Sequence, residues 1–359
     1  MVMPMKLLLT VLFSVCLGLP GLATHALSNA QEPDIGPSPY PENHKILYYE
    51  GGKKKAAEGP VENGRRHGVW SHYDLVGTKI AEGRYENYER VGEWTYWSAK
   101  GVLLSKGSFE DGLETGRWVF VHPNGKPMKE GDFFRGLQVG EWKHWRAAGD
   151  IASEGAFEMG QRHGPWVMYH SNGNKWRTGT YVRGLEDGLW LEWYDNGKPM
   201  QEGAFVLGVP MGEWKAWHNN GELKSVGVHD VGGQTGVWTK FYPTGDKEFE
   251  GPWLENREQG EWTRWHKNGA VMAKGSYERG QMVGDWFSWW DNGNRQVSET
   301  FRFGKNNGPY SSWYRNGQQE SQGNFVMGKR EGHWTYWKQD GTVQEKATGE
   351  YKDDRKAGK

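Results

Sequence analysis

GEWTYWSAKGVLLSKGSFEDGLETG, residues 92–116, opens on Gly92 and closes on the glycine that begins the next copy of the same pattern. A glycine followed two residues later by Trp or Tyr recurs every 24 residues, at Gly68, Gly92, Gly116, Gly140, Gly164, Gly188, Gly212, Gly236, Gly260, Gly284, Gly308 and Gly332. A fixed period of this size means stacked copies of one supersecondary unit, each burying its apolar face on its neighbours. Within the quoted copy an aromatic segment, residues 93–98, runs into the turn Ala99-Lys100-Gly101, and a second apolar segment, residues 102–109, follows. The turn glycine recurs in every copy and often follows Asn, as at Asn172, Asn196 and Asn220. Asn-Gly between two apolar runs signals a β-hairpin.

Further glycines at Gly83, Gly107, Gly131, Gly155, Gly179, Gly203, Gly227, Gly251, Gly275 and Gly323 sit inside the second segment, where a glycine marks a bulge or a close backbone approach. A second glycine turn, as at Gly112 and Gly136, returns the chain to the next hairpin. The expected fold is therefore all-β: an elongated array of about twelve 24-residue β-hairpins forming one long twisted antiparallel meander sheet over residues 46–351. Tryptophan supports this register, with one column two residues after the first glycine (Trp70, Trp94, Trp118 and their successors) and another three residues further on. Residues three apart on a strand face opposite sides, so one column is expected on each face. Tyr88 in a turn-glycine place and Glu299 in a strand-glycine place predict local distortion, whereas Asn256 tolerates positive φ.

Composition narrows the function classes. Lys+Arg (44) and Asp+Glu (45) nearly cancel, which leaves no bulk field favouring nucleic acid. Lys6, the apolar run 7–19, Pro20-Gly21 and the small residues Thr24, Ala26, Ser28 and Ala30 read as a secretory signal peptide over residues 1–30. The only cysteine, Cys16, lies in that run after Val15, which argues against a lipoprotein and leaves the mature chain without a thiol. Residues 31–45 read as a Pro-rich linker, and residues 352–359 as a charged tail or cap. The expected destination is the periplasm or the cell surface.

The pattern G-x-W-x-x-W/Y-x-x-N-G-x(4)-E-G-x-F/Y-x-x-G, best seen in GEWKAWHNNGELKSVG (212–227) and GLWLEWYDNGKPMQEG (188–203), resembles the variant MORN repeat of exported bacterial repeat proteins and of antitoxin-like proteins of the YwqK type. The resemblance implies a twisted sheet of hairpins, a role in protein interaction or membrane-associated scaffolding, and no catalytic motif.

The same geometry bears on the chemistry-bearing residues. His122, His170, His218 and His266 recur every 48 residues in the frame His-x-Asn-Gly. Each hairpin advances a flat sheet by about 9–10 Å, placing these rings roughly 19 Å apart. Zn–N bonds are about 2 Å, so no metal site is expected and the rings read as a solvated polar rim. Glu130 and Glu154, about 10 Å apart on the same basis, recur along a surface with no cleft to separate their pKa values. No catalytic residue and no cofactor are expected. Two binding readings remain. The first is a protein-interaction scaffold using Tyr96, His144, Met168, His170, Tyr194, Tyr242, Trp290 and Tyr314. The alternative is binding of cell-wall glycan or membrane lipid by stacking on Trp97, Trp145, Trp193, Trp217, Trp265, Trp289, Trp313 and Trp337, which is decided by whether that column lies open.

Overall fold

The computed structural model describes residues 43–358. The proposed signal peptide and most of the linker lie outside them. The described residues contain strands and turns and no helix, and they divide into two compact units, one ending at Gly125 and one beginning at Lys126.

In the first unit each hairpin pairs antiparallel with the next, from His44–Tyr48 against Lys55–Glu62 to Leu103–Glu110 against Leu113–Val121. The second unit repeats the arrangement from Pro127–Phe134 against Leu137–Trp145 to Gly349–Lys352 against Arg355–Lys356. The all-β meander of hairpins read from the period is thus the fold of both units.

The two kinds of turn differ in mechanism. At the aromatic end, Gly101 N–H donates to Ser98 O (2.9 Å) and Ser98 N–H to Val102 O (2.8 Å). With Gly101 at φ 77°, this is a type I turn closed by one left-handed residue. At the opposite end, Asp111 (φ 48°) and Gly112 (φ 77°) are both left-handed between the paired residues Glu110 and Leu113, which makes a two-residue type I′ turn. The Asn-Gly pairs therefore belong to the three-residue loops, and the tightest turns lie at the other end.

The spacing glycine of each copy is a bulge. Gly83 pairs with Trp94, but the next rung joins Arg84 to Val91, so Gly92 and Glu93 are looped out, with Gly92 at φ 63°. The same break separates Gly155–Trp166 from Ala156–His163 in the second unit. It leaves the carbonyl after the strand glycine free to accept from the indole. Trp94 Nε1 donates to Arg84 O (3.1 Å) and Trp166 Nε1 to Ala156 O (3.0 Å).

Each indole of the first column lies flat on the strand glycine of the preceding strand. A Cβ on Gly83 would stand 2.1 Å from the Trp94 ring, and one on Gly155 would stand 2.4 Å from Trp166. That close approach is why these glycines recur, since any side chain there would occupy the ring's space. The rings then meet the next aromatic column edge-on. Tyr85–Trp94 (5.0 Å, 87°) and Phe109–Trp118 (5.1 Å, 89°) do so in the first unit, and an unbroken row runs from Phe133–Trp142 to His229–Trp238 in the second. His229 keeps the row continuous by serving as a ring at 5.8 and 5.2 Å from its two tryptophans.

Two departures have different outcomes. Tyr88 takes φ 74° without disturbing the turn, and its hydroxyl donates to Gly64 O at 2.7 Å. The expected distortion is absent there because the left-handed residue gains an acceptor in the preceding hairpin. Glu299 keeps the register of the other copies but loses one rung: after Glu299–Tyr310 the next joins Phe301 to Asn306, without the equivalent of Arg84–Val91, and Gly308 opens to φ 138°. This copy carries Tyr310 where the others carry Trp, so a side chain replaces the strand glycine in the repeat that lacks the indole. Burial pushes the Glu299 carboxyl above its usual pKa, and Asn306 Nδ2 donates to it at 2.5 Å.

Gly155→Ala is expected to lower stability by about 1–3 kcal/mol through overpacking against Trp166. Gly164→Asn, at φ 71° with nothing within 4 Å of its Cβ, should cost under about 1 kcal/mol. Urea midpoints of the two variants check the contrast.

Candidate functional site

The eight residues expected to form a partner surface fall into two columns, and both work inside the array. Tyr96, His144 and Met168 alternate with the first tryptophans on the buried face. Tyr96 stacks on Trp94 (5.9 Å, 26°) and on Trp118 (6.5 Å, 28°) and accepts a hydrogen bond from Arg90 Nη1 (3.1 Å). His144 stacks on Trp142 (6.1 Å, 29°). Met168 is buried in a cluster with Trp166, Tyr181 and Trp190.

The other five reach across to the following hairpin. His170 Nε2 lies 2.8 Å from Trp193 O, and Tyr194 Oη donates to Trp217 O (2.7 Å). Tyr242 Oη donates to Trp265 O (2.8 Å), Trp290 Nε1 to Trp313 O (3.0 Å), and Tyr314 Oη to Trp337 O (2.9 Å). His218 and His266 do the same with Phe241 O (2.9 Å) and Trp289 O (2.8 Å). A carbonyl only accepts, so each of these imidazoles carries its proton on Nε2 and holds its neighbour by it. They are staples between repeats, and the solvated rim expected from a flat sheet is corrected for His170, His218 and His266. The turn asparagines form a parallel ladder, as in Asn220 Nδ2 to Pro243 O (2.7 Å) and Asn268 Nδ2 to Asp291 O (2.7 Å).

The second tryptophan column (Trp97, Trp145, Trp193, Trp217, Trp265, Trp289, Trp313 and Trp337) is half-buried throughout. Cationic side chains lie over some of its rings, with Lys79 Nζ 5.4 Å from Trp97, Lys247 Nζ 5.4 Å from Trp265 and the Arg295 guanidinium 5.2 Å from Trp289. The column is neither an open stripe nor a closed core.

The strand carboxylates are bound within the sheet. Lys79 and Ser71 both donate to Glu82 at 2.8 Å, while Lys247 (2.6 Å) and Thr239 (3.0 Å) donate to Glu250. These hydrogen bonds, the lysine's foremost, hold both carboxyls below their usual range. Glu154 accepts from Tyr169 Oη at 2.6 Å.

Two features were not anticipated. In the second unit, bulky apolar residues occupy the left-handed first place of type I′ turns: Met159 (φ 47°, 58% exposed), Leu207 (φ 46°, 54%), Phe303 (φ 52°, 61%) and Met327 (φ 50°, 46%). Neighbouring tips are bonded to one another through the preceding hairpin, as in Gly160 N–H to Gln138 O (2.9 Å) and Gly208 N–H to Glu186 O (2.7 Å). Phe134, Leu185 and Val206 extend the same exposed apolar edge. The sequence signal was an apolar residue directly before the second turn glycine. In the first unit, a cavity of about 550 Å³ opens beside His72, Arg90, Trp94, Tyr96 and Trp97.

A family model described as the MORN repeat variant matches residues 162–183, 186–206 and 258–279. All three segments lie in the second unit. No curated protein matches the sequence. Among solved structures, the crystal structures of TcdB2-TccC3 and of TcdB2-TccC3-Cdc42 match at 10% and 11% identity, each with a TM-score of 0.17, over 82% of this chain and 20% of theirs. The chain thus spans about a fifth of those chains, and at that TM-score the likeness carries no argument.

His72 and His144, both without charge in the fold, make stability depend on pH. Burial, reinforced for His72 by Arg66 and Arg90 and for His144 by Lys129 and Arg162, depresses both to about 4 from 6.5. Below pH 6.5 the unfolded chain therefore binds more protons than the folded one, so stability is full above pH 6.5 and falls until about pH 4. The slope is up to about 1.4 kcal/mol per pH unit for His72 and less for half-buried His144. Thermal midpoints between pH 7 and 4.5 check this. His144→Phe, which copies Phe120 in the same column, should flatten the dependence.

Proposed function

We propose that this chain, whose repeats are variant MORN repeats, is a non-enzymatic exported scaffold that binds a protein partner in the bacterial envelope through the apolar turn tips of its second unit. Variant MORN repeats are generally units of protein or membrane interaction. The observation that carries the finer reading is the backbone conformation of Met159, Leu207, Phe303 and Met327. Left-handed φ is unfavourable for bulky side chains and costs on the order of 1–3 kcal/mol per residue. Glycine or asparagine would hold the same turns at lower cost, and the tips stay about half exposed even where Arg302 lies over the Phe303 ring at 5.3 Å. Apolar groups kept at strained, solvent-facing positions are what a binding edge requires. The apolar run at residues 7–19 followed by small residues supports export.

A membrane surface is the second reading, favoured by the arginines beside the tips at Arg135, Arg183 and Arg279. Stacking of glycan or lipid on the second tryptophan column is weakened by the half-buried state of those rings.

The test replaces Met159, Leu207, Phe303 and Met327 together with Asn in the full chain. The variant should melt no lower than the wild type, and by up to about 1 kcal/mol per site more stably, while losing the protein cross-link formed in cells from a photoreactive residue at position 206. Sedimentation of the wild type, but not the variant, with anionic vesicles or purified sacculi would transfer the role to membrane or wall. An unchanged cross-link would contradict the edge altogether.

A further inference from the structure

The ladder of staples is interrupted at two successive places, both in the first unit. Tyr49 Oη donates to Tyr73 O (2.6 Å), but the equivalent positions in the next two copies hold Asp74 and Ser98. Neither reaches the following hairpin. Asp74 Oδ1 accepts from the amides of Val76 (3.0 Å) and Thr78 (2.9 Å), and Ser98 Oγ accepts from those of Lys100 (3.3 Å) and Val102 (3.1 Å), so both short side chains close their own turns. Where most other copies place a ring, these leave space, and both residues line the 550 Å³ cavity. That volume suits one small molecule.

The walls are specific in chemistry. Tyr96 and Trp97 present rings, and Ile80 and Leu104 present aliphatic groups. His72 is 1% exposed, and neither of its ring nitrogens has a hydrogen-bond partner. As a neutral imidazole it holds one N–H donor buried without an acceptor, a cost of about 1–3 kcal/mol, and its ring is covered by Tyr85 and Trp94 at 6.2 and 5.7 Å. Arg90 lines the same space, gives one N–H to Tyr96 Oη (3.1 Å) and rests on Phe109 at 3.9 Å. Among the described residues no carboxylate lies within ion-pair distance of it. The other charged groups facing this region are Arg66, beside His72, Glu114, which faces Tyr96, and Asp74, whose oxygen is engaged at its turn.

We propose that this cavity is a binding site for a small monocarboxylate with a flat apolar body, its carboxylate held by Arg90 and its body lying between Tyr96 and Trp97. The guanidinium supplies the charge, and the rings cover the apolar part. This site is separate from the turn edge of the second unit, and its occupant is a small molecule rather than a protein.

The experiment is calorimetric titration of the full chain at pH 7 with 1-naphthylacetate and, separately, with its neutral amide. The acid should bind with a dissociation constant below about 1 mM and at least tenfold more tightly than the amide. Ser98→Tyr, which restores the staple used by Tyr194, should weaken binding at least tenfold while the thermal midpoint holds or rises, and Ser98→His provides the same filling with the ring of His170. Arg90→Gln should abolish the preference for acid over amide. Absence of binding by either probe, or undiminished binding by a folded Ser98→Tyr or Ser98→His variant, would overturn the site. Equal binding of acid and amide would overturn the assignment to a carboxylate.

Discussion

An indole lying flat on a glycine is the contact on which the rest of this array depends. The Trp166 ring occupies the volume that a Cβ of Gly155 would need, and the same arrangement joins Gly83 to Trp94 and Gly179 to Trp190. Because the ring rests on backbone, it buries itself without a second layer of structure. Neighbouring rings complete the cover of these indoles, together with a guanidinium over each of several, Arg66 over Trp70, Arg162 over Trp166 and Arg177 over Trp190, at 4.1–4.8 Å. A chain with 22 Trp and 53 Gly thereby obtains a core that aliphatic residues would otherwise have to build.

The bulge at the spacing glycine links this contact to the ends of the hairpins. Looping out two residues breaks the ladder beside the strand glycine, frees a carbonyl for the indole N–H, and brings successive turns within hydrogen-bond reach. At one end turn amides bond the preceding hairpin, and at the other His, Tyr, Trp and Asn side chains bond the following one. The polar groups at both ends are consumed in this way. What is left for partners is the apolar side chains of the tips, whose amides at Leu207 and Met327 are bonded to Asp187 and Asn307, and the hollow where Asp74 and Ser98 fall short.

Much of this was legible in the residues. The period, the hairpins, the two tryptophan columns and the strand glycine as a place of close approach follow from spacing and turn chemistry. The misreading of His170 as a solvated rim has a physical cause. Flat-sheet spacing puts equivalent residues about 9–10 Å apart, whereas in the structure the side chain of one copy lies within 2.8 Å of the next copy's carbonyl. Nor does glycine alone announce which of its uses applies: Gly92 is a bulge by its positive φ, while Gly107 is an open floor for Trp118. Leu207 escaped notice because a turn position that alternates among Arg, Met and Leu reads as variable, and its strain is visible only in the backbone.

The central claim is most directly tested by a double-mutant cycle at Gly275 and Trp286, using Gly275→Ala and Trp286→Tyr, the ring that the Glu299 copy already carries. If the glycine is there for the indole, the alanine penalty measured beside Trp286 shrinks by at least about 1 kcal/mol beside the tyrosine. An alanine penalty of equal size in both backgrounds would contradict the account, since the glycine would then serve the strand and not the ring.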